Sequence, residues 1–252
     1  MRNLIILLIF LKFSVGYAFA QVNQSKITQG DAICIESNSI PDHKVGKFPN
    51  RANPHSIREQ RIKLCVSSNP KKNSKPQFIK GTIGIALNGI QFRPNTAGSY
   101  DPSSKSGHSR NGDKRWTLDI FGAKNRLGLD MNNGHVGPNG LYHYHGIAES
   151  LIGNSDSSFI GYAGDGFEIH FVGRKVQSGY TLRSGERPSG PGGAFDGTFN
   201  EDYVYSHDHE TLDQCNGGQL NGKYVYFITL DYPFIGRCLW GDIAPGFGAD
   251  RH

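Results

Sequence analysis

Two histidines alternate with two tyrosines in the segment Tyr142-His143-Tyr144-His145. In a β-strand, side chains two residues apart point to the same face. A strand here would therefore present both imidazoles side by side and turn both tyrosine rings to the opposite face. Because a neutral imidazole is a common metal ligand, this spacing predicts a site that gives a metal ion two nitrogen ligands.

Two further residues are candidates for the same site. His135 precedes the motif and is separated from it by residues 137–140 (GPNG), which are typical of a turn. A loop could therefore fold His135 back as a third ligand. Asp165 begins another predicted strand and could either coordinate the metal or orient an imidazole by a hydrogen bond. The predicted metal site consists of His135, His143, His145 and Asp165.

The residue types limit which metal such a site would take. In an exported protein the cysteines are oxidised, which excludes thiolate ligands, and Met131 is the only methionine after residue 1, which disfavours a thioether Cu(I) site. Nitrogen and carboxylate ligands favour Zn²⁺ or Cu²⁺. Three histidines with an open fourth position would suit metal-dependent hydrolytic or oxidative activity.

A metal-free function is the alternative. Tyrosine and histidine side chains lining a groove could bind a carbohydrate or another small ligand, since a tyrosine ring offers a flat apolar face with a polar tip. Alternating histidines in an aromatic strand could also be structural and bond to neighbouring backbone. Three other histidines rank lower: His43 lies near the start of the chain, and His207 and His209 lie in a polar stretch typical of a surface loop.

Other classes of protein find little support in the sequence. It contains no GxSxG, no HExxH and no phosphate-binding glycine-rich loop followed by Lys-Ser or Lys-Thr. Its carboxylates are too dispersed for a calcium loop. The net charge of +5 comes from scattered Lys and Arg, whereas nucleic-acid-binding proteins usually concentrate basic residues on one face. We therefore expect a metal ion or a small ligand as partner, and no nucleic acid.

The N-terminus predicts export. Arg2 is followed by an apolar run at residues 4–11, and Ala18-Phe19-Ala20 has the small residues of a cleavage site. The run is interrupted at Lys12 and is shorter than the roughly 20 residues that span a bilayer. We therefore predict a signal peptide at residues 1–20 and a periplasmic or secreted domain at residues 21–252. No later stretch is apolar enough to cross a membrane.

Four cysteines fit this oxidising destination: Cys34, Cys65, Cys215 and Cys238. An even number in an exported protein predicts two disulfides. Three pairings are possible. We favour Cys34–Cys65 and Cys215–Cys238, because each closes a modest loop within one terminal region.

The composition predicts a mainly β protein. With 33 glycines, 12 prolines, 15 Phe and 11 Tyr, the chain favours short strands joined by tight turns. We expect one domain of short antiparallel strands, either a sandwich or an open barrel, with long glycine-rich loops and little helix. No repeat at a fixed period is evident.

Local patterns place some of the elements. Alternation over residues 62–66 predicts a half-buried strand. Asn88-Gly89 between two apolar runs predicts a hairpin with a type I′ turn, in which both residues have positive φ. Residues 95–114 and 184–200 are predicted loops, and residues 148–152 give the only hint of helix.

The motif and several other segments resemble the YHYH-domain family of secreted proteins. Besides residues 142–145, the resemblance rests on residues 85–90 (IALNGI), 134–135 (GH), 161–167 (GYAGDGF), 196–199 (DGTF), 212–217 (LDQCNG), 232–234 (YPF) and 238–241 (CLWG). It extends from about residue 40 onwards and implies one exported domain, but it implies no particular reaction. Glu168-Ile169-His170 departs from the Pro-Ile-Tyr expected there, which places His170 outside any shared chemistry.

The leader gives the first testable prediction. The exported protein should begin at Gln21, and Ala20→Arg should retain the leader, because the residue before the cleaved bond must be small. Phe19→Leu, at a position without that requirement, is the matched control and should be processed normally. N-terminal sequencing and intact mass distinguish these outcomes. An exported wild-type chain that begins before Gln21 would contradict the assignment.

Overall fold

The computed structural model describes residues 23–152, 158–208 and 210–248. The first nine strands are β1 (Ser25–Gln29), β2 (Ala32–Ser37), β3 (Ile62–Ser67), β4 (Gln77–Phe78), β5 (Gly84–Ala86), β6 (Gln91–Phe92), β7 (Ser99–Tyr100), β8 (His108–Ser109) and β9 (Asp113–Thr117). The others are β10 (Gly134–Val136), β11 (Tyr142–Tyr144), β12 (Phe159–Ala163), β13 (Glu168–His170), β14 (Tyr180–Leu182), β15 (Tyr203–Tyr205), β16 (Gly217–Leu220), β17 (Lys223–Phe227) and β18 (Cys238–Leu239).

Helix is scarce in this part of the chain. It comprises α1 (Lys124–Leu127), α2 (Glu149–Ile152) and two 3₁₀ turns, Gly173–Lys175 and Asn200–Asp202. The predicted helical turn at residues 148–152 corresponds to α2. Within the described ranges, no helix has the length and apolar character needed to span a bilayer. The predicted leader at residues 1–20 lies outside the described residues.

The prediction of a mainly β, single-domain fold is confirmed. The strands form one eight-stranded sheet and four smaller ones, and in the described residues no sheet closes into a barrel. Strands β1, β2 and β3 form a sheet that packs on one face of the large sheet, where Ile35, Leu64 and Val66 contact Ile85 and Tyr162. A larger core covers the other face. The arrangement is therefore sandwich-like.

The large sheet consists of two halves that repeat one pattern. Its order is β10-β11-β6-β5-β12-β13-β17-β16. In the first half the hairpin β5–β6 joins the hairpin β10–β11 by a parallel pairing of β6 with β11. In the second half β12–β13 joins β16–β17 by a parallel pairing of β13 with β17. These two parallel pairings depart from the antiparallel order that we predicted.

The halves meet at β5 and β12, which pair antiparallel. Leu87 N–H donates to Ile160 O (3.0 Å), and Gly164 N–H donates reciprocally to Ile83 O (2.8 Å). A Cβ on Gly161 would lie 2.4 Å from the Ile85 carbonyl oxygen, which explains why glycine occupies this close approach. The reciprocal contacts give the sheet an approximate two-fold symmetry.

Sequence repeats accompany the symmetry. Residues 83–90 (IGIALNGI) match 160–167 (IGYAGDGF), 129–134 (LDMNNG) match 212–217 (LDQCNG), and 139–144 (NGLYHY) match 221–226 (NGKYVY). The offsets are 77, 83 and 82 residues, so no fixed period exists. The chain therefore has no repeat at a fixed period, as expected, but it does contain repeated segments, and loops of unequal length separate them.

The first repeated segment forms the predicted hairpin in both halves. Gly89 and Gly166 have φ of 82° and 94°, and their N–H groups donate to Ala86 O and Ala163 O at 2.9 Å. Asn88 does not have positive φ, so the turn is not the type I′ turn that we predicted. Three residues separate the paired Ala86 and Ile90, as in three-residue hairpin loops that end on a left-handed glycine.

The second hairpin of each half is fixed by a tyrosine and an aspartate. Tyr142 Oη donates to Asp130 (2.8 Å), and Tyr224 Oη donates to Asp213 (2.7 Å). The other oxygen of each carboxylate accepts the N–H of the glycine that starts the hairpin, Gly134 or Gly217. Burial, with the neighbouring aspartate, raises the pKa of both tyrosines far above the ordinary value, so both hydroxyls stay protonated.

Two predicted loops contain more order than expected. Residues 95–114 include β7, β8 and the start of β9, which form a three-stranded sheet. Residues 184–200, the other predicted loop, contain no strand, but the last of them, Asn200, begins the 3₁₀ turn Asn200–Asp202. Arg187 nevertheless anchors them through two hydrogen bonds to the buried Asp202, at 2.7 and 2.6 Å. These contacts could not be predicted from the sequence, because the polar residues of the two segments show no alternation of apolar and polar side chains.

The predicted disulfide pairing is confirmed. Cys34–Cys65 links β2 and β3 at directly paired positions. Cys215–Cys238 links the turn before β16 to β18, and both of its cysteines are fully buried. The second disulfide therefore lies in the core of the repeated fold.

Removing either tyrosine hydroxyl tests the symmetry. Tyr142→Phe and Tyr224→Phe should each lower the free energy of unfolding by about 1.5–3 kcal/mol, the range for a hydrogen bond to a charged group. Urea denaturation measures both. Tyr100→Phe is the control, because no hydrogen bond of this hydroxyl occurs in the described residues. A neutral result for one tyrosine and a large loss for the other would show that the two hairpins are not equivalent.

Candidate metal centre

Strands β10 and β11 bring three histidines together. His135 lies directly opposite His143 in the antiparallel register, and His145 follows the end of β11. One nitrogen from each of the three lies within 4.8 Å of the others. His135 was expected in a loop, but it belongs to β10, and the turn residues 137–140 form the hairpin loop after it. Strand pairing therefore holds His135 in place.

The tyrosines of the motif lie on the opposite face. Tyr142 and Tyr144 are fully buried in the largest core cluster. His143 and His145 are 6% and 2% exposed and line a cleft. The strand therefore divides the motif as its alternation predicts. In the alternative, metal-free function, a ligand-binding groove could therefore not be lined by Tyr142 or Tyr144.

Backbone carbonyls set the protonation of two histidines. His135 Nδ1 lies 2.9 Å from Leu127 O, and His143 Nδ1 lies 3.1 Å from Leu141 O. A carbonyl only accepts, so each Nδ1 carries the hydrogen and each Nε2 keeps its lone pair. Metal-binding histidines almost always donate their second nitrogen in this way.

Neither neutral form of His145 gives both of its ring nitrogens a hydrogen-bond partner among the described residues. Its Nε2 lies 3.2 Å from His135 Nε2, and its buried Nδ1 has no hydrogen-bond partner among the described residues. A proton on Nε2 leaves Nδ1 as an unpaired acceptor. A proton on Nδ1 leaves an unpaired donor and makes two lone pairs face each other. A cation between the Nε2 atoms would turn that contact into an attraction, and nitrogens bound to a tetrahedral zinc are roughly 3.3–3.4 Å apart.

Burial keeps all three imidazoles neutral. It is the main cause that lowers the pKa of His135, His143 and His145 below the ordinary value. The positive charge of Arg93 acts in the same direction on all three. Neutral imidazole is the form that binds metals, so coordination of an ion here would require no imidazole to lose a proton first.

The second half of the sheet shows the same hairpin without histidines. In its register Gly218, Val225 and Phe227 take the positions of His135, His143 and His145. Val225 and Phe227 are buried there against Leu212. The fold thus forms this hairpin with apolar side chains at these positions, which argues against a purely structural role for the histidines.

A family model described as "YHYH protein" matches residues 63–241. The chain belongs to this family. The matched region contains both halves of the large sheet and all three clustered histidines. No curated protein and no solved structure gives a significant match.

Asp165 does not join the histidine cluster of this YHYH protein. Its carboxylate accepts hydrogen bonds from Tyr226 Oη (2.7 Å) and from Gly241 N–H (2.8 Å). It takes the position that Asn88 has in the first half, where Asn88 Nδ2 donates to Tyr144 Oη (3.0 Å). Asp165 is therefore part of the framework of the second half and not a ligand of the triad.

His43, His170 and His207 lie away from the triad. His43 Nε2 bonds to Tyr144 Oη (2.6 Å) on the tyrosine side of the strand, so the lower-ranked candidate is not a ligand. His170 bonds to Ser158 and Glu168. His207 is exposed, as predicted, whereas His209 lies outside the described residues.

The cleft over the triad has a volume of about 660 Å³. Several of the residues that line it were not grouped with the motif by any sequence pattern, among them His55, Arg93 and His108. They reach the cleft from separate segments, so no local spacing relates them to residues 142–145.

His145→Leu tests whether the triad costs stability. In a chelator, this variant should be as stable as the wild type or more stable by about 1–3 kcal/mol, because it removes an unsatisfied buried nitrogen. His143→Leu is the matched control and should be destabilised, since it loses the bond to Leu141 O and relieves no such defect. Urea denaturation compares them. A large loss of stability in His145→Leu would indicate that His145 is a structural residue.

Proposed function

We propose that this protein binds one Zn²⁺ or Cu²⁺ ion through His135, His143 and His145 and uses it in hydrolytic or oxidative chemistry. The convergence of three neutral imidazole nitrogens within 4.8 Å carries the proposal. Two of them have their second nitrogen fixed by a carbonyl. The third, His145, has its Nε2 3.2 Å from His135 Nε2, a contact that a cation shared by the two nitrogens would make attractive.

The ligand set suits these ions. Three histidines with an open position are a known arrangement for catalytic zinc, and imidazole also suits copper. Thiolate ligands are absent from the described residues, since all four cysteines are in disulfides. Hard cations such as Mg²⁺ or Ca²⁺ are disfavoured because they require oxygen ligands.

The position of the triad favours catalysis over storage. All three histidines line the cleft, so a bound ion would face it with open coordination positions. Such an ion would acidify a water that it binds and polarise a bound oxygen. The chain itself holds the imidazoles rigid, because their strand is fixed from the other face by Tyr142 and Tyr144 in the core.

We also propose that the protein works in the periplasm or outside the cell. The N-terminal segment has the pattern of a cleaved leader. Two disulfides in a chain of this size suit an oxidising compartment. Export would place the site where zinc and copper are not held by cytoplasmic thiols.

Metal content tests the proposal directly. The mature protein, purified without a histidine tag, should bind one zinc or copper ion per chain by elemental analysis. His143→Ala combined with His145→Ala should lose it, because two of three ligands are gone. A metal concentration of 100 times Kd should stabilise the wild type by about 2.7 kcal/mol, which thermal unfolding with and without chelator measures.

His207→Ala is the control for this experiment. His207 is exposed and lies away from the cleft, so its replacement should leave the metal content unchanged. A stable wild type that binds neither ion, or a double variant that keeps a full equivalent of metal, would overturn the proposal. The first of these results would favour the metal-free recognition function.

A further inference from the structure

A serine, a histidine and a carboxylate are joined by hydrogen bonds in the second half of the sheet. Ser158 Oγ lies 2.9 Å from His170 Nδ1, and His170 Nε2 lies 2.8 Å from Glu168 Oε2. None of these three residues lines the cleft over the histidine triad. They therefore form a second group of side chains whose types could do chemistry, separate from the candidate metal centre.

The carboxylate sets the protonation of the imidazole. A carboxylate only accepts hydrogen bonds, so in the neutral ring Nε2 carries the hydrogen and donates it to Glu168. Nδ1 then keeps its lone pair and accepts a hydrogen bond from Ser158 Oγ. A nucleophile in contact with a base, which a third group orients, is the arrangement that activates a serine hydroxyl, and it is recognised by geometry and not by a sequence motif. Here His170 takes the place of the base, and Glu168 orients it.

Strand pairing holds the three side chains together. Glu168 and His170 are two residues apart in β13, so both lie on one face of the sheet. Ser158 directly precedes β12, whose first residue, Phe159, pairs with His170. The N–H of Phe171 donates to Ser158 O (2.8 Å), which fixes the serine backbone beside the histidine. Sites on strands are held more rigidly than sites on loops.

The base is shielded from water, whereas the serine is not fully covered. The His170 side chain is 8% exposed and that of Glu168 is 42% exposed, while Ser158 is half-buried. The ring centroids of Phe159 and Phe227 lie 5.5 and 6.5 Å from that of His170. The imidazole therefore lies among apolar side chains, and a substrate could still approach the hydroxyl that it contacts.

The first half of the sheet forms the same hairpin without these groups. The residues that correspond to the serine, the glutamate and the histidine, 77 residues earlier, are Gly81, Gln91 and Arg93. The strands of the two hairpins pair in the same register. The hairpin thus forms with neither a nucleophile nor an acid–base pair at these positions, which argues against a purely structural role for the three residues of the second half.

We infer that Ser158, His170 and Glu168 form a nucleophilic site that cleaves carboxylic esters. Ser158 Oγ attacks the carbonyl carbon of the ester while its proton passes to His170 Nδ1. The bond between that carbon and the alcohol oxygen breaks, and the leaving alcohol takes the proton from Nδ1. A water then gives its proton to Nδ1 and attacks the acyl-serine, which releases the carboxylic acid and returns the proton to Ser158 Oγ. The Glu168 carboxylate stabilises the imidazolium that forms in each step.

Covalent labelling of the wild-type protein tests this inference. A fluorophosphonate should react as Ser158 Oγ displaces fluoride from phosphorus, and peptide mapping by mass spectrometry should locate the adduct on Ser158. With 4-nitrophenyl butyrate the protein should release nitrophenol in an initial burst, because the acyl-serine accumulates before water cleaves it. Both measurements are made in chelator, which removes any metal-dependent hydrolysis at the histidine triad.

Variants separate the roles of the three residues. Ser158→Ala should abolish labelling, and His170→Gln should slow it about 100-fold, within the range for a lost general base. Glu168→Gln should lower kcat for the ester about tenfold and leave KM unchanged, because the carboxylate contacts the imidazole and not the substrate. Ser189→Ala is the matched control and should label at the wild-type rate, since Ser189 is exposed and its hydroxyl contacts no histidine among the described residues.

Three results would overturn the inference: a wild-type protein that resists the fluorophosphonate, an adduct on a residue other than Ser158, or labelling of His170→Gln at the wild-type rate. Thermal unfolding of each variant shows whether a lost reaction reflects a lost fold. The adduct on the wild-type protein is located directly, so that result holds even where a variant fails to fold. Metal content is measured separately, so failure of the ester site leaves the metal proposal unaffected.

Discussion

The arrangement of this protein depends on the hydrogen-bond partners of two pairs of tyrosine hydroxyls. The pairs are Tyr142 and Tyr144 in one half of the sheet, and Tyr224 and Tyr226 in the other. A hydroxyl removed from water without a partner costs free energy, so each tyrosine must meet an acceptor or donor inside the core. Tyr142 meets Asp130, and Asp130 also holds the start of the hairpin through Gly134 N–H. Because side chains alternate along a strand, fixing the tyrosines in the core fixes the neighbouring histidines on the opposite face. The hydrogen bond between Tyr142 and Asp130 thus determines which way the imidazoles point, although no histidine takes part in it.

The duplicated sheet separates what the fold requires from what function adds. Both halves keep the tyrosines, the aspartate and the left-handed Asn133 or Asn216. Only one half has histidines at the three positions of the triad, and the other has Val225 and Phe227, in an apolar cluster, at two of them. The tyrosines of the YHYH motif therefore belong to the shared framework, and the histidines are the part specific to one half. Without a second copy of the hairpin for comparison, the framework tyrosines could not have been distinguished from the histidines in this way.

The sequence predicted what depends on neighbours along the chain. Alternation in residues 142–145, the hairpin at Asn88-Gly89 and the pairing of nearby cysteines are local patterns, and each corresponds to the structure. Contacts between distant segments were not predictable in this way. Asp165 was grouped with the histidines because a carboxylate at a strand start can bind metal, but its partner Tyr226 lies 61 residues away. Arg93 reaches the triad only through the parallel pairing of β6 with β11, for which the sequence has no local signal.

The unsatisfied nitrogen of His145 is where the requirements of fold and of site conflict. A hydrophobic core favours the solution of the second half, in which Phe227 occupies the same place without a polar atom. Three buried imidazoles instead leave at least one nitrogen without a partner, and stability alone gives no reason to keep them. Natural proteins depart from such rules mainly at functional sites. The defect is in the motif, it borders the cleft, and its counterpart in the other half is absent; these three facts support the proposal that the histidines are kept for a function of this site and not for the stability of the fold.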